Sequence, residues 1–447
     1  MENKILVGNG TLVTLGSSNR IIGQGAVYVE GNLIRDFGLT DELRQKYPGA
    51  RFLDVKGRVI MPGLVNVHHH LYSTFACGIS TEPASNFVEI LEKLWWKLDK
   101  ALTLDDVYYS ALVPLIKCVK SGTTTIIDHH ASPGAVRGSL KKIAKAVKKI
   151  GVRSVLCYEV TDRNGLKESN KGISENLNFI RKYAGGQDDM LGAMMGLHAS
   201  MTLSDRTLKK AVKSMQGLAT GFHVHISEDK ADVEDSQKKY KMRVVPRLYD
   251  LGILGEKTIA AHCIHVDDIE MKILADTRTN VVNNPSSNMN NAVGTADILG
   301  FLKKGARPGL GTDGMTSNMM EEVRTAFLIQ HQVKQDPRVA FMEACDMLLK
   351  TNPVIASRYF RHKVGVIEKD AFADLIVMDY YPYTPMSEEN FYGHFIYGIG
   401  TSLVDTTIIN GRIVYLNKKL KGIKEEQVHR EASRFAAEVW KRMKEKK

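Results

Sequence analysis

Short apolar runs, most of them rich in β-branched residues, recur through the middle of the chain at Val59–Val67, Thr123–Ile127, Val152–Val160, Leu191–Leu197, Ala219–Ile226, Lys257–His265, Thr279–Asn284 and Ala306–Thr312. Polar segments and segments of helical period separate them, which is the repeat of a β-loop-α unit. Eight such units predict an α/β fold, a (β/α)8 TIM-like barrel, with an open doubly wound sheet as the alternative. The interval after the first run is the longest. It holds an extra segment, Phe87–Ala101, whose Leu91, Leu94, Trp95 and Leu98 fit one helical face.

Toward both ends the apolar period shortens to two. Ile5–Leu15, Gly25–Phe37 and Phe52–Met61 alternate around turns at Gly31 and Gly57, and the same texture returns in Gly365–Tyr380 and in Ser402–Asn417, which turns at Asn410-Gly411. Residues 1–58 and 365–420 are therefore expected to build one small β-sandwich domain from both chain ends, with 59–364 forming the barrel. Residues 421–447 are expected to form an amphipathic helix with Val428, Ala432, Phe435, Val439, Trp440 and Met443 on its apolar side.

The 447 residues carry 61 lysines and arginines against 50 acidic residues, a net charge of +11. Six of those charges fall in Asn417–Lys447, where 11 basic residues face five acidic ones, so the body is nearly balanced. A second basic run, Arg137–Arg153, places its lysines around Leu140, Ile143, Val147 and Ile150 in the pattern of a solvated helix back. No aromatic residues interleave either stretch as a single-strand groove requires, so no nucleic-acid partner is expected. The five cysteines are scattered, with no C-x-x-C, and no run is long and apolar enough for a membrane span. A reducing cytoplasm without a membrane partner is the expectation, and a homodimer is the default assembly.

Ten of the 14 histidines lie at or beside the predicted strand ends. Barrel strands converge at one mouth, so this distribution points to a metal or acid-base site. In Pro62-Gly63-Leu64-Val65-Asn66-Val67-His68-His69-His70, His68 and His70 share one face of an extended chain and can reach one metal, while His69 points away. In His225-Ile226-Ser227-Glu228 a strand-end histidine precedes a carboxylate suited to proton transfer, although His223 could be the ligand in place of His225. Ala261-His262-Cys263-Ile264-His265 repeats the two-histidine pattern. Gly309-Leu310-Gly311-Thr312-Asp313-Gly314 presents an aspartate that a divalent cation would partner. The adjacent pair His129-His130 has room for at most one ring in a pocket.

These four motifs, in this order, resemble the amidohydrolase superfamily, in its branch of guanine deaminases, adenosylhomocysteine-type deaminases and triazine chlorohydrolases. LWWKLDKAL (94–102), SGTTTIIDHHASP (121–133), YEVTDRN (158–164) and SSNMNNAVG (286–294) are similar to the SsnA-type aminohydrolases within it. The resemblance implies a mononuclear enzyme with one divalent metal, zinc or iron, on His68, His70, His225 and Asp313. It implies that Glu228 shuttles a proton to a ring nitrogen, that His262 orients or helps deprotonate the attacking water, and that Asp313 takes up its proton. His198 matches a substrate-contacting position, and Asp162, Arg163, Ser287 and Asn288 are expected to border the pocket. The implied reaction is hydrolytic deamination of a purine-like or other nitrogen heterocycle in purine catabolism. Ring opening of a cyclic amide or amidine is the alternative, and a non-catalytic binding scaffold a third reading. Two departures stand out: Cys77-Gly78 replaces the Arg-Gly of many relatives, and the fourth strand has no lysine for a bridging carbamate, which argues against a two-metal centre although Glu159 could act as a bridging carboxylate.

Overall fold

The computed structural model describes residues 4–16 and 18–445; residues 1–3 and 17 of the expected β domain and 446–447 of the expected terminal helix lie outside the described residues. The apolar runs become eight parallel strands. In chain order they are Leu64–His69, Thr123–His130, Arg153–Tyr158, Leu191–Ala193 continued as Met195–Ala199, Phe222–Ile226, Ile259–His262, Asn280–Asn283 and Gly309–Leu310. Each pairs in parallel with the next, the third reaching the continued fourth through a Val160–Leu197 bridge. Closure falls to the weakest member, because the eighth strand has only two residues. Beyond it the chain still follows the first strand, with Thr312 N and Asp313 N donating to His68 O at 3.0 and 3.1 Å. Below it, buried Asn352 donates to Val65 O and Leu310 O, each at 2.7 Å, and accepts from Leu310 N at 2.8 Å. One side-chain amide thus supplies the ladder bonds that the short strand lacks. The barrel is closed, not an open sheet.

The first apolar run does not form one strand. It splits at Gly63, so Val59–Pro62 leaves the barrel and pairs antiparallel with Leu375–Met378 and parallel with Thr11–Leu12. The break has a steric cause: a Cβ at position 63 would lie 2.2 Å from the Thr124 side chain, so only glycine lets the chain pass. Sequence periodicity misses this because both halves are fully buried.

The β unit is one sheet of nine strands, running unbroken from Lys419–Leu420 through Arg412–Leu416, Val404–Ile409, Leu375–Met378, Val59–Pro62, Lys4–Val13 and Ile21–Glu30 to Leu33–Leu39, with Arg51–Asp54 also on Lys4–Val13. It rolls over on itself. Ile34 N donates to Ala371 O at 2.9 Å and Ala373 N to Asn32 O at 2.8 Å, bringing one edge back beside Leu375–Met378. Ile5, Val27, Ile34, Ile60, Leu375 and Ile408 fill the space enclosed. The small β-sandwich domain expected from both chain ends takes the form of one sheet folded over on itself. Barrel and sheet meet at a fully buried ion pair: Arg153 Nε and Nη2 donate to Asp374 Oδ2 and Oδ1 at 2.9 and 3.0 Å. The guanidinium lies 3.7 Å over the Phe372 ring.

The basic run forms the helix Ser139–Ile150, with Leu140, Ile143, Val147 and Ile150 buried and most of its lysines exposed. The terminal helix Glu425–Glu445 lies along the helix Leu104–Lys120, stacking Phe435 on Tyr109 at 4.4 Å between centroids and burying Val439 completely. Trp440 Nε1 donates to Phe75 O at 2.7 Å and Arg442 Nε to Ala101 O at 2.9 Å. Phe75 and Ala101 end the segments that wall the barrel mouth. Ending the chain before Glu425 is expected to remove about 3 kcal/mol or more of stability, since Val439 and Met443 alone bury two large apolar side chains. Urea unfolding of the truncated protein checks this, and an unchanged midpoint would reject the bracing role.

Candidate active site

Every strand end that the sequence marks with a histidine or an acid reaches the same mouth. Three imidazoles there are oriented from behind. His68 Nδ1 lies 2.8 Å from His223 Nε2, His70 Nδ1–H donates to His129 O at 2.5 Å, and His225 Nδ1–H donates to His198 O at 2.9 Å. Each engaged Nδ1 leaves Nε2 as the forward atom. These forward nitrogens crowd one point: His70 Nε2 is 3.2 Å from His225 Nε2 and 3.0 Å from Asp313 Oδ1, and His68 Nε2 is 3.5 Å from the same oxygen.

Bare imidazole lone pairs beside a carboxylate repel one another unless a cation is shared. His68 Nε2 and His262 Nε2 are buried with no hydrogen-bond partner among the described residues. Ligand atoms of His68, His225, His262 and Asp313 lie within 4.8 Å of one another, as do those of His68, His70, His129 and His225. Imidazole and carboxylate donors in this arrangement fit a divalent transition metal. The electrostatics agree. Burial alone would raise the Asp313 acid, but the His68 and His70 rings hold it well below the carboxylate range, while Asp313 lifts His70 to about 9 against its own burial.

Backbone strain accompanies this placement. His262 and Asp313 adopt φ of 70° and 51°, in the left-handed region that side chains avoid. His262 Nδ1–H donates to Asn288 Oδ1 at 2.8 Å, leaving Nε2 3.5 Å from Glu228 Oε2 and 4.0 Å from Asp313 Oδ2. Burial raises the Glu228 acid to about 7, with the Asp313 charge adding to the shift and His262 opposing it.

A cavity opens from this cluster. Its floor is His70, His225, Glu228 and Asp313, and its outer wall comes from the insertion: Phe87, Leu91, Trp95 and Trp96, with Tyr72 and Met201 beside them. That composition, aromatic walls over convergent polar groups, suits a flat heterocycle.

A model of the amidohydrolase family matches residues 59–414. The chain belongs to the amidohydrolase family. The family is metal-dependent, and the relatives of this chain are named as deaminases, hydrolases that act on carbon–nitrogen bonds. This amidohydrolase is 30% identical over 440 residues to the 5-methylthioadenosine/S-adenosylhomocysteine deaminase of Desulforudis audaxviator, covering 97% of this chain and 98% of that one. It is 29% identical over 441 residues to the 5'-deoxyadenosine deaminase of Methanosarcina mazei, covering 97% and 98%. Among solved structures, an adenosine deaminase from Xanthomonas campestris with bound zinc superposes with a TM-score of 0.86 at 20% identity, covering 98% of each chain, a likeness of fold.

Of the expected substrate contacts in this amidohydrolase, His198, Asp162, Arg163 and Asn288, His198 alone is placed in the cavity lining. Asp162 turns aside to accept from Ser204 N, Ser204 Oγ, Thr207 Oγ1 and Ser169 Oγ at 2.6 to 2.8 Å. Arg163 pairs with Asp99 at 2.7 Å and stacks on Trp96, bracing the wall from outside, and Asn288 is committed to His262. Ser287 does line the cavity and donates to Asp313 Oδ2. His223 sits behind His68, a layer below the mouth. His130 bonds Ser132 Oγ at 2.9 Å, and His129 lies flat on His223 with centroids 4.5 Å apart; neither lines the cavity. Asn291, which donates to Glu228 Oε1 at 3.3 Å, and Tyr72 escaped the sequence reading, although each lies within three residues of a residue it singled out.

Proposed function

We propose that the protein is a mononuclear aminohydrolase that deaminates a purine-like nitrogen heterocycle with release of ammonia, its metal held by His68, His70, His225 and Asp313. The observation that carries this reading is the convergence of three forward Nε2 atoms and the Asp313 carboxylate on one point, directly under an aromatic-walled cavity that also holds Glu228. A divalent metal bound there, for which we favour zinc over iron, would supply Lewis-acid activation of water at neutral pH.

The chain's own residues divide the remaining work. Glu228, almost wholly removed from water and anchored by Asn291, delivers a proton to a ring nitrogen of the heterocycle. His262 Nε2, an acceptor because Asn288 holds the proton on Nδ1, orients the attacking water between Glu228 and Asp313. Asp313 takes up the proton that this water gives away. The walls formed by Trp95, Trp96 and Tyr72 stack on the ring and keep bulk water out. The adenosine-type deaminase names among the relatives support a purine-like ring as substrate and a place in purine catabolism. The same proposal puts the enzyme in the cytoplasm as a homodimer, without nucleic acid; among the described residues no helix is long and apolar enough to cross a membrane.

A mass-resolved turnover screen of metal-analysed protein against purines, pterins and cyclic ureides tests the reading. Replacing NH2 by OH changes mass by about +1 and yields ammonia, whereas ring opening adds about +18, because the hydroxide then enters without a departing group. A +18 product would move the protein to ring opening, and stoichiometric metal with no turnover of any class would reject deamination. The ligand set has its own check at Gly311, where a Cβ would lie 2.5 Å from Asn284 Oδ1 and 2.7 Å from His68 Cβ. Gly311→Ala is expected to push His68 off position and weaken metal retention by about 10-fold or more, as disturbed supporting groups do. Dialysis against a chelator followed by metal analysis reads this directly; retention equal to the unaltered protein would remove His68 from the set.

A further inference from the structure

Glu159 has no part in the chemistry above, yet it ends the third strand within the cavity wall, with only 4% of its surface exposed. No described residue donates a hydrogen bond to its carboxylate; His198 Nε2 lies 3.6 Å from Oε1. Thr202 Oγ1 stands 2.7 Å from His198 Nδ1 and 3.1 Å from Ala199 O. Whichever ring nitrogen carries the proton, 3.6 Å between Nε2 and Oε1 is too long for a hydrogen bond. The buried Glu159 carboxyl therefore faces the cavity without a hydrogen-bond partner among the described residues, which is costly once water has been removed from it.

A cation could answer this need, because Glu159, His198 and His225 offer ligand atoms within 4.8 Å of one another. His225 cannot serve there, however. Its Nδ1 is spent on His198 O and its Nε2 faces His70, which leaves two donors, too few for a divalent site. The missing partner must come with the substrate.

We propose that Glu159, with His198 beside it, reads a hydrogen-bond donor on the substrate ring, a ring N–H or an amino group other than the one displaced. The inference rests on the deaminase reading and narrows its substrate class to donor-bearing heterocycles of the amino-oxo or diamino type. Rings whose corresponding edge carries acceptors alone leave Glu159 unpaired and are poor substrates.

The test is a cycle between the substrate and the protein. Turnover of guanine-type and diaminopurine-type rings is compared with that of analogues methylated at each ring nitrogen or lacking the second amino group, in the unaltered enzyme, in Glu159→Gln and in Glu159→Leu. At one ring position, removing the donor is expected to cut kcat/KM by about 10²-fold or more in the unaltered enzyme and by less than about 3-fold in Glu159→Leu, because a site built around a hydrogen bond discriminates strongly against its loss. Glu159→Gln, which keeps the shape and an acceptor oxygen, is expected to retain part of the discrimination. Absence of coupling at every position, coupling confined to the displaced amino group, or a fall in bound metal in Glu159→Leu would each overturn the proposal. If no ring is turned over at all, the same cycle is run as equilibrium binding of the oxo rings, so a failed deaminase assignment and a failed Glu159 assignment give different results.

Discussion

Glu228→Gln is expected to lower kcat by about 10²–10⁴-fold while leaving the bound metal in place, the range by which a positioned acid or base accelerates proton transfer. The amide keeps the shape of the side chain and can still meet Asn291 and His262, but it carries no transferable proton. Its loss should therefore appear in kcat more than in KM, because the stacking walls and the His198 edge are untouched. Metal analysis of the same preparation separates this from damage to the ligand set, of which Glu228 is not a member. A variant within 10-fold of the unaltered enzyme would remove Glu228 from the proton path and leave His262 as the remaining candidate.

The largest effect on stability is expected at the Arg153–Asp374 pair. Both side chains are fully buried, and the pair ties the third barrel strand to the sheet through Asp374, whose carboxylate also accepts from Asn410 N at 2.7 Å. Arg153→Met or Asp374→Leu alone strands an unpaired charge in the buried interior, which costs about 3–5 kcal/mol. Replacing both together restores part of that loss, because the surviving charge goes with its partner. Chemical denaturation of the single and double variants measures the coupling. Single losses below about 1 kcal/mol, or a double variant as unstable as the sum of the singles, would show that the two charges act independently.

The barrel was legible because each strand is a buried run ending in chemistry, and both signals lie in a few consecutive residues. The nucleus of the site was legible for the same reason: His68 with His70, His225 with Glu228, and Asp313 after its glycines are local patterns. What escaped depends on distant partners. Asp162 is a strand-end carboxylate like Glu159, and only the arrival of Ser204 and Thr207 turns one into a structural acceptor and leaves the other bare. Ser287 and Asn288 look equivalent in the sequence. On the helix Pro285–Asn290 they point about 100° apart, so one reaches Asp313 and the other His262. The split at Gly63 was hidden because its cause, the Thr124 side chain, lies on another strand.

The seating of Val59–Pro62 between Lys4–Val13 and Leu375–Met378 has a consequence for how the protein is made. This strand leaves the ribosome early, and one of its two neighbours follows more than 300 residues later. At ~5–20 residues/s that is a wait of roughly 15 s to 1 min with an apolar edge open to other nascent chains. The barrel's first strand hangs from it through Gly63, so the proposed metal ligands His68 and His70 cannot be fixed until the last third of the polypeptide emerges. Productive folding should thus be largely post-translational, and yield in the cell should respond to chaperone supply and to synthesis rate more than to metal supply.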